Sequence, residues 1–417
     1  MLGSTKTFWS GCEAEGERNL VIVQFSSARN GSAVSGLILA NGLKSAGWKI
    51  VVIFSYPGPM LIEYERAGHA CFIVSHERWL RSRNPIRFIK TVISECRNVP
   101  SFEKIYYEFR PDVVYINSAV SLSAALAARK ARVKVIWHIR ELFSDVGGEL
   151  KISPILKYLA RFIFRKLANI LVVCSSAVAK NVLGETKNLR LSIVPNGVPE
   201  KFFENLISTR LARANLGLPS DSIIIGLPGT LRPVKGHLFF FRAMSELMRI
   251  RREKWCFAVT GDDKGEYAKF LKKTIENMGL VDHVRFLGDL VDMREFYSSC
   301  DIVCVPSKAE PFGRVVVEAL AAQKPLIASD IGGIAEIVLH DHNGLLIEYG
   351  NVSSFVNSVI RLLDDEKLRE KLIDNGRCLA ERYYKDSVVN RRIVELVSTL
   401  VRDNGQITEG VRKISAD

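Results

Sequence analysis

Residues 301–329 read DIVCVPSKAEPFGRVVVEALAAQKPLIAS. A short β-branched run (DIVCVP) is followed by a helix that enters at Pro311-Phe312-Gly313, and then by a second apolar run (PLIAS). Short continuous apolar strands on either side of a helix are the signature of a parallel strand–helix–strand unit covered on both faces. Two acids flank the apolar helix, Glu310 before it and Glu318 inside it. Burying a polar group without hydrogen bonds costs roughly 2–7 kcal/mol, and an ion costs more, so Glu318 requires donors. Taken alone, an internal salt bridge or an exposed helix edge accounts for such a glutamate.

The same alternation runs outward in both directions. NLVIVQF, WKIVVIF, ACFIV, DVVYIN, VKVIWHI and NILVVCSS in the first half, and SIIIGLPG, WCFAVTG and HVRFLG in the second, read as buried strands separated by helical periods. The fold class is therefore α/β, with two consecutive doubly wound domains. Pro195, Asn196-Gly197 and Pro199 mark the seam. The organisation expected is a disordered tail over 1–18, an N-terminal Rossmann-like domain over 19–198 and a C-terminal one over 199–384. A final helix over 385–404 crosses back to the first domain, and 405–417 form a loose tail.

Composition narrows the class. A chain of 417 residues that is 47% apolar and 25% charged can bury large cores. Its eight cysteines form no CxxC pair and its histidines no HExxH, which argues against a disulfide framework or a zinc site and fits a cytoplasmic protein. No apolar run reaches the roughly 18 residues of a membrane span. Residues 1–198 hold 27 Lys and Arg against 14 Asp and Glu, whereas 199–417 hold 31 of each, so all the excess charge lies in the first half. It concentrates in 77–104, with Arg78, Arg81, Arg83, Arg87 and Lys90, and in 151–170, where Lys157, Arg161 and Arg165 form one stripe beside Leu156, Leu159, Ile163 and Leu167. Such surfaces suit anionic headgroups or a pyrophosphate-bearing acceptor, or simply form a solvated basic face. No nucleic-acid recognition pattern accompanies the charge.

Open parallel sheets bind ligands beyond the carboxyl ends of their strands. Gly31 and Ser32 follow the first strand and open a helix. His138, at the expected tip of VKVIWHI, reads either as a packing residue or as a polar group near a reaction centre. Arg232 and Lys235 follow IIIGLPG and place two cations where phosphates would be met. The helix entry at Phe312, Gly313 and Arg314 offers free backbone amides and a positive dipole end.

These residues carry a resemblance. The run from Val284 to Leu346 is similar to the donor half of retaining GT-B glycosyltransferases of family 4: two glutamates eight apart, Pro-Ser before them, Glu-Ala after, then Gly332-Gly333, Glu336 and Asn343-Gly344. GTLRPVKG and PNGV resemble further motifs of that family, in order. The resemblance implies a GT-B architecture, two Rossmann-like domains facing across a cleft, and transfer of a hexose from a nucleotide-sugar with retention. It implies that Glu318 accepts from ribose hydroxyls, that Glu310 holds the transferred sugar, that Phe312, Gly313, Arg314 and Val315 approach sugar and diphosphate, and that Lys235 neutralises the phosphates. Catalytic roles then fall to His138, Lys235 and Glu310, with Gly31, Ser32 and His138 on the acceptor side. Thr230 stands where the family commonly has arginine, and Arg232 is the candidate to replace it. No DxD motif is present, so neither metal nor cofactor is expected.

Three readings follow. The first is a hexosyltransferase, with a UDP-sugar as the favoured donor, acting on a lipid-linked or membrane-associated saccharide in surface polysaccharide or glycolipid synthesis. It would be peripheral at the cytoplasmic face of an anionic membrane and would bind no nucleic acid. The second is the same fold working on a soluble acceptor, or epimerising or hydrolysing the nucleotide-sugar. The third is a nucleotide-sugar-binding scaffold without catalysis.

Overall fold

A computed structural model describes residues 18–28, 31–80, 83–143, 150, 153–187, 189–204 and 207–402. The expected tails, apart from Arg18, lie outside the described residues. Two parallel sheets are built in succession. The first holds β1 (Arg18–Gln24), β2 (Trp48–Phe54), β3 (Ala70–Ile73), β4 (Val113–Ile116), β5 (Lys134–Ile139), β6 (Ile170–Val173) and β7 (Leu191–Ile193), in the order β3-β2-β1-β4-β5-β6-β7. The second holds β8 (Ile223–Leu227), β9 (Trp255–Val259), β10 (Val284–Phe286), β11 (Ile302–Val305), β12 (Leu326–Ser329) and β13 (Leu345–Ile347), in the order β10-β9-β8-β11-β12-β13.

The continuous apolar strands follow from helices on both faces. In β1, Leu20 and Ile22 join the core beneath the Gly31–Ser45 and Asp386–Arg402 helices, while Val21 and Val23 join Trp79, Phe102 and Tyr106 on the other side. ACFIV departs from its expectation of double coverage. It forms β3 at the end of the sheet, where Phe72 and Ile73 are exposed. Strands β7 and β13, three residues each, are too short to stand out in the sequence and extend the two sheets.

The chain passes twice between the sheets, and the two passages touch. Val198 bridges Lys385 in parallel: its N–H donates to the Tyr384 carbonyl at 2.8 Å, and its carbonyl accepts from Asp386 at 3.1 Å. The Asp386–Arg402 helix then packs Val389, Ile393 and Val397 under β1 and β2, and Asn390 donates to the Ile38 carbonyl at 3.2 Å.

The Pro154–Leu167 helix corrects the stripe expected on it. Ser153 caps it and Pro154 occupies its first turn. It buries Leu156, Ala160 and Phe164, which leaves Leu159 exposed. Arg161 donates to the Val182 and Asn181 carbonyls at 3.0 Å each, and Arg165 to those of Leu183 and Glu185, so two of the three stripe cations tie down backbone. Among the described residues no helix is long and apolar enough to cross a membrane.

Candidate active site

The carboxyl end of the second sheet gathers most of the residues singled out in the sequence. After β11 the chain turns at Pro311-Phe312 and enters the Arg314–Ala321 helix through Gly313, whose φ of 99° lies in the left-handed region that a side chain disfavours. The first amides of that helix have no intrahelical partner and lie at the positive end of the helix dipole. Gly333 N–H holds the Glu310 carbonyl at 3.0 Å, and a Cβ on Gly333 would lie 2.5 Å from the Phe312 Cα. The Gly332-Gly333 pair is therefore what lets the two loops nest.

Two acid–base pairs occupy this end. Lys235, closing the short Pro233–Lys235 turn after β8, donates to Glu310 Oε2 at 2.6 Å. Arg314 donates to Glu318 Oε1 at 2.9 Å across one helical turn, and the Tyr297 hydroxyl donates to Glu318 Oε2 at 2.8 Å. Glu318 is buried as expected, and its donors in this structure come from the protein itself. Each of its oxygens already holds one donor and keeps acceptor capacity for another. Burial, then the Glu318 charge, push the Tyr297 hydroxyl well above its usual range, so it stays protonated and can donate. Phe312 is buried edge-on against Tyr384, Val315 is half-buried, and Arg232 is exposed at the mouth of the Lys235 turn.

The carboxyl end of the first sheet is built differently. His138 is not at the tip of β5: the strand runs on through Ile139, and His138 is fully buried within it. The Tyr115 hydroxyl meets its Nδ1 at 2.5 Å, and burial, followed by the Arg140 charge, holds the ring well below its usual pKa and hence neutral. The polar group that reaches the tip is Arg140. Its Nε donates to Asn117 Oδ1 at 2.7 Å, and Nη1 donates to Asn196 in the seam. Asn117 in turn donates to Gln24 at 2.6 Å and to the Ser32 carbonyl at 2.9 Å. Arg140 is only 9% exposed, and among the described residues no carboxylate pairs with its guanidinium. Gly31 sits at the open edge of this end, its carbonyl 3.5 Å from Arg314 Nη1 of the second sheet.

Further contacts fasten the two ends together. Glu336 accepts from the Ser176 and Ala177 amides at 2.8 and 2.6 Å, and the Ser175 hydroxyl donates to the Pro311 carbonyl at 2.5 Å. Asp386, buried beside Gly197, has its pKa raised to about 7 by burial, with Arg314 opposing and Glu200 and Glu318 reinforcing the shift. Sequence reasoning missed Arg140, Asn117, Tyr297 and Asp386 as members of this region. Arg140 had a signal, being the first charged residue after the VKVIWHI run.

The fold and the two ends of the cleft define a class: two-domain proteins of GT-B architecture. Residues 208–378 match the family model described as Glycosyl transferases group 1, and residues 29–202 match that of Glycosyltransferase Family 4. The chain belongs to this family of glycosyltransferases. A glycosyltransferase from Rickettsia africae superposes with a TM-score of 0.79 at 20% identity, covering 93% of this chain and 100% of that one. An uncharacterized glycosyltransferase of Methanocaldococcus jannaschii is 30% identical over 54% of this chain and 60% of its own length. An Escherichia coli UDP-Gal:alpha-D-GlcNAc-diphosphoundecaprenol alpha-1,3-galactosyltransferase is 26% identical over 72% of this chain and 82% of its own. The chain spans between 45% and 60% of the length of the first three curated relatives it matches.

Proposed function

We propose that this chain is a retaining hexosyltransferase that takes its sugar from a UDP-sugar and passes it to a lipid-linked saccharide at a membrane surface. The observation that carries the reading is the turn after β11, where Glu310 and Glu318 flank a helix start with open amides and Lys235 touches Glu310. A nucleotide-sugar uses every part of this turn. The ribose diol would take the remaining acceptor capacity of Glu318, whose orientation Tyr297 and Arg314 fix. Sugar hydroxyls would donate to Glu310. The diphosphate would meet the amides at Gly313 to Val315 and draw Lys235 from Glu310, with Arg232 alongside, so that its charge is balanced without a metal ion.

Because both glutamates are engaged in donor binding, neither serves as the nucleophile of a double displacement, whose carboxylates lie about 5–5.5 Å apart in retaining glycosidases. Attack comes instead from the face the leaving group departs, and the departing phosphate oxygen accepts the acceptor's proton while Lys235 stabilises its growing charge. On the opposite side, a buried guanidinium held by the amide oxygens of Asn117 and Asn196, with no direct ion pair among the described residues, favours an acceptor that carries negative charge, as a diphosphate-linked lipid does. The E. coli relative, which its name pairs with a UDP-sugar and a diphosphoundecaprenol acceptor, supports the same choice.

A thermal-shift panel of UDP, GDP, ADP and CMP tests the donor. A ligand at a hundred times its dissociation constant stabilises by about 2.7 kcal/mol. UDP alone is expected to stabilise the wild type and to fail on Glu318→Ala; stabilisation by a different nucleotide would reassign the donor, and none at all would favour a scaffold that has lost the chemistry.

A further inference from the structure

The Pro154–Leu167 helix turns an apolar face outward. Ile155 is 82% exposed and Tyr158 77%, with Leu159 and Phe162 continuing the same stripe at helical spacing. The neighbouring Pro85–Phe109 helix does the same with Ile86, 67% exposed, and with Ile89 and Ile93. Both helices anchor on one buried ring: Trp79 lies 6.0 Å from Phe88 of one and 5.8 Å from Phe164 of the other, so both pack around the same point of the first domain's core and turn their stripes away from it. Large contiguous apolar patches are uncommon on a protein that leaves them in water, and they mark a docking surface.

The rim of this surface identifies the occupant. Residues 83–94 and 153–168 contain no aspartate or glutamate, and Arg87, Lys90, Lys157 and Lys166 stand among the apolar residues. Lys166 Nζ lies 5.8 Å from the Phe162 ring centroid, so the cation and the ring share one end of the stripe. A second copy of the chain would bring the same cations against themselves. An anionic bilayer instead accepts the isoleucines and aromatic rings among its acyl chains and the lysines and arginines among its headgroups.

We propose that these two helices form a bilayer-docking face, with Ile155, Tyr158, Phe162, Ile86 and Ile89 inserted and the basic rim set on anionic headgroups. The choice of a lipid rests partly on the acceptor proposed above; the exposed face does not. The sequence pattern alone pointed to the arginine stripe as the contact, whereas the structure spends Arg161 and Arg165 on carbonyls and leaves the apolar stripe to make it.

Co-sedimentation of the full chain with phosphatidylcholine vesicles, with and without phosphatidylglycerol, tests this. Binding to the anionic vesicles that weakens with salt is expected. Ile155→Ser with Phe162→Ser should lower partitioning at least about tenfold, as expected for losing two buried apolar side chains, and Lys157→Glu about fivefold or more. Both variants should keep their UDP-dependent thermal shift. Three results would overturn the proposal: no sedimentation with either vesicle at low salt, sedimentation unchanged in the serine variant, or a wild-type dimer that the serine variant dissolves while neither binds vesicles. If vesicle binding behaves as expected but a lipid-linked acceptor is not glycosylated, the face stands and the acceptor reading falls. If the lipid-linked acceptor is used in detergent while vesicles are ignored, the reverse holds.

Discussion

The two sheet ends that face the cleft solve the same problem, holding cations ready for an anion, in opposite ways. At the second sheet two cations are partnered by carboxylates, Lys235 by Glu310 and Arg314 by Glu318. At the first, Arg140 is held by the neutral amides of Asn117 and Asn196. A carboxylate partner keeps the empty site near neutrality and doubles as an acceptor for hydroxyls. An amide partner orients the guanidinium without a direct ion pair, and the neighbouring carboxylate of Glu141 is taken up by the Ser118 hydroxyl and the Ala119 and Arg140 amides. The first arrangement suits a ligand that brings both phosphates and sugar hydroxyls, and the second suits one recognised by charge.

The sharpest way to break this contrast is Lys235→Ala. It should cut kcat by about 10²–10³, the range for removing one donor aimed at developing charge, and a loss confined to the donor Michaelis constant would reduce Lys235 to a binding residue. Next comes Arg140→Gln, expected to raise the acceptor Michaelis constant roughly tenfold or more, as for a lost charged hydrogen bond, while the UDP-dependent thermal shift is unchanged. An equal loss on the donor side would merge the two ends into one site. Tyr297→Phe removes one of the donors that orient Glu318 and should weaken UDP several-fold, in line with about 0.5–1.5 kcal/mol for a neutral hydrogen bond.

At Asp386 the expected effect appears in the pH dependence of stability and not in turnover. Its folded pKa, about 7, stands above the ordinary carboxylate value. Its contribution to stability is therefore fully present below about pH 4 and is lost as the pH rises through 7. Urea unfolding of Asp386→Asn against wild type should show the variant gaining relative stability across that window and holding the gain above it; parallel curves at every pH would mean that Asp386 does not titrate on folding.

The same contrast explains what could be read from the sequence. The end proposed to hold the donor was legible because it is local. Glu310, Gly313 and Glu318 lie on one strand-to-helix turn, so spacing alone brings them together, and Lys235 follows the glycine-marked end of β8. The end proposed to meet the acceptor is assembled from Gln24, Asn117, Arg140 and Asn196, which only the parallel sheet unites. There the end of β5, expected at His138 and found at Ile139, moved attention away from Arg140. A strand end is set by its neighbours' register, β4 on one side and β6 on the other, and a single strand's sequence carries no record of it. The Pro154–Leu167 helix teaches the same lesson by rotation: periodicity located an amphipathic helix, but its charged and apolar residues overlap in angle, and only packing on Trp79 and Trp137 decided which side looked outward.

The parallel bridge between Val198 and Lys385 ties the two interdomain passages to each other. Chain segments that cross a gap at separate points would resist rotation about either one, but two that are hydrogen-bonded side by side define a single axle. Motion of one domain against the other then has one easy rotational degree of freedom, and displacement grows with distance from that axle. A rotation about that seam would displace Asn196 and Asp386, which lie beside it, least of all. The Glu336 contact to Ser176 and Ala177 is a separate tie between the two sheet ends, one that such a rotation would have to make or break.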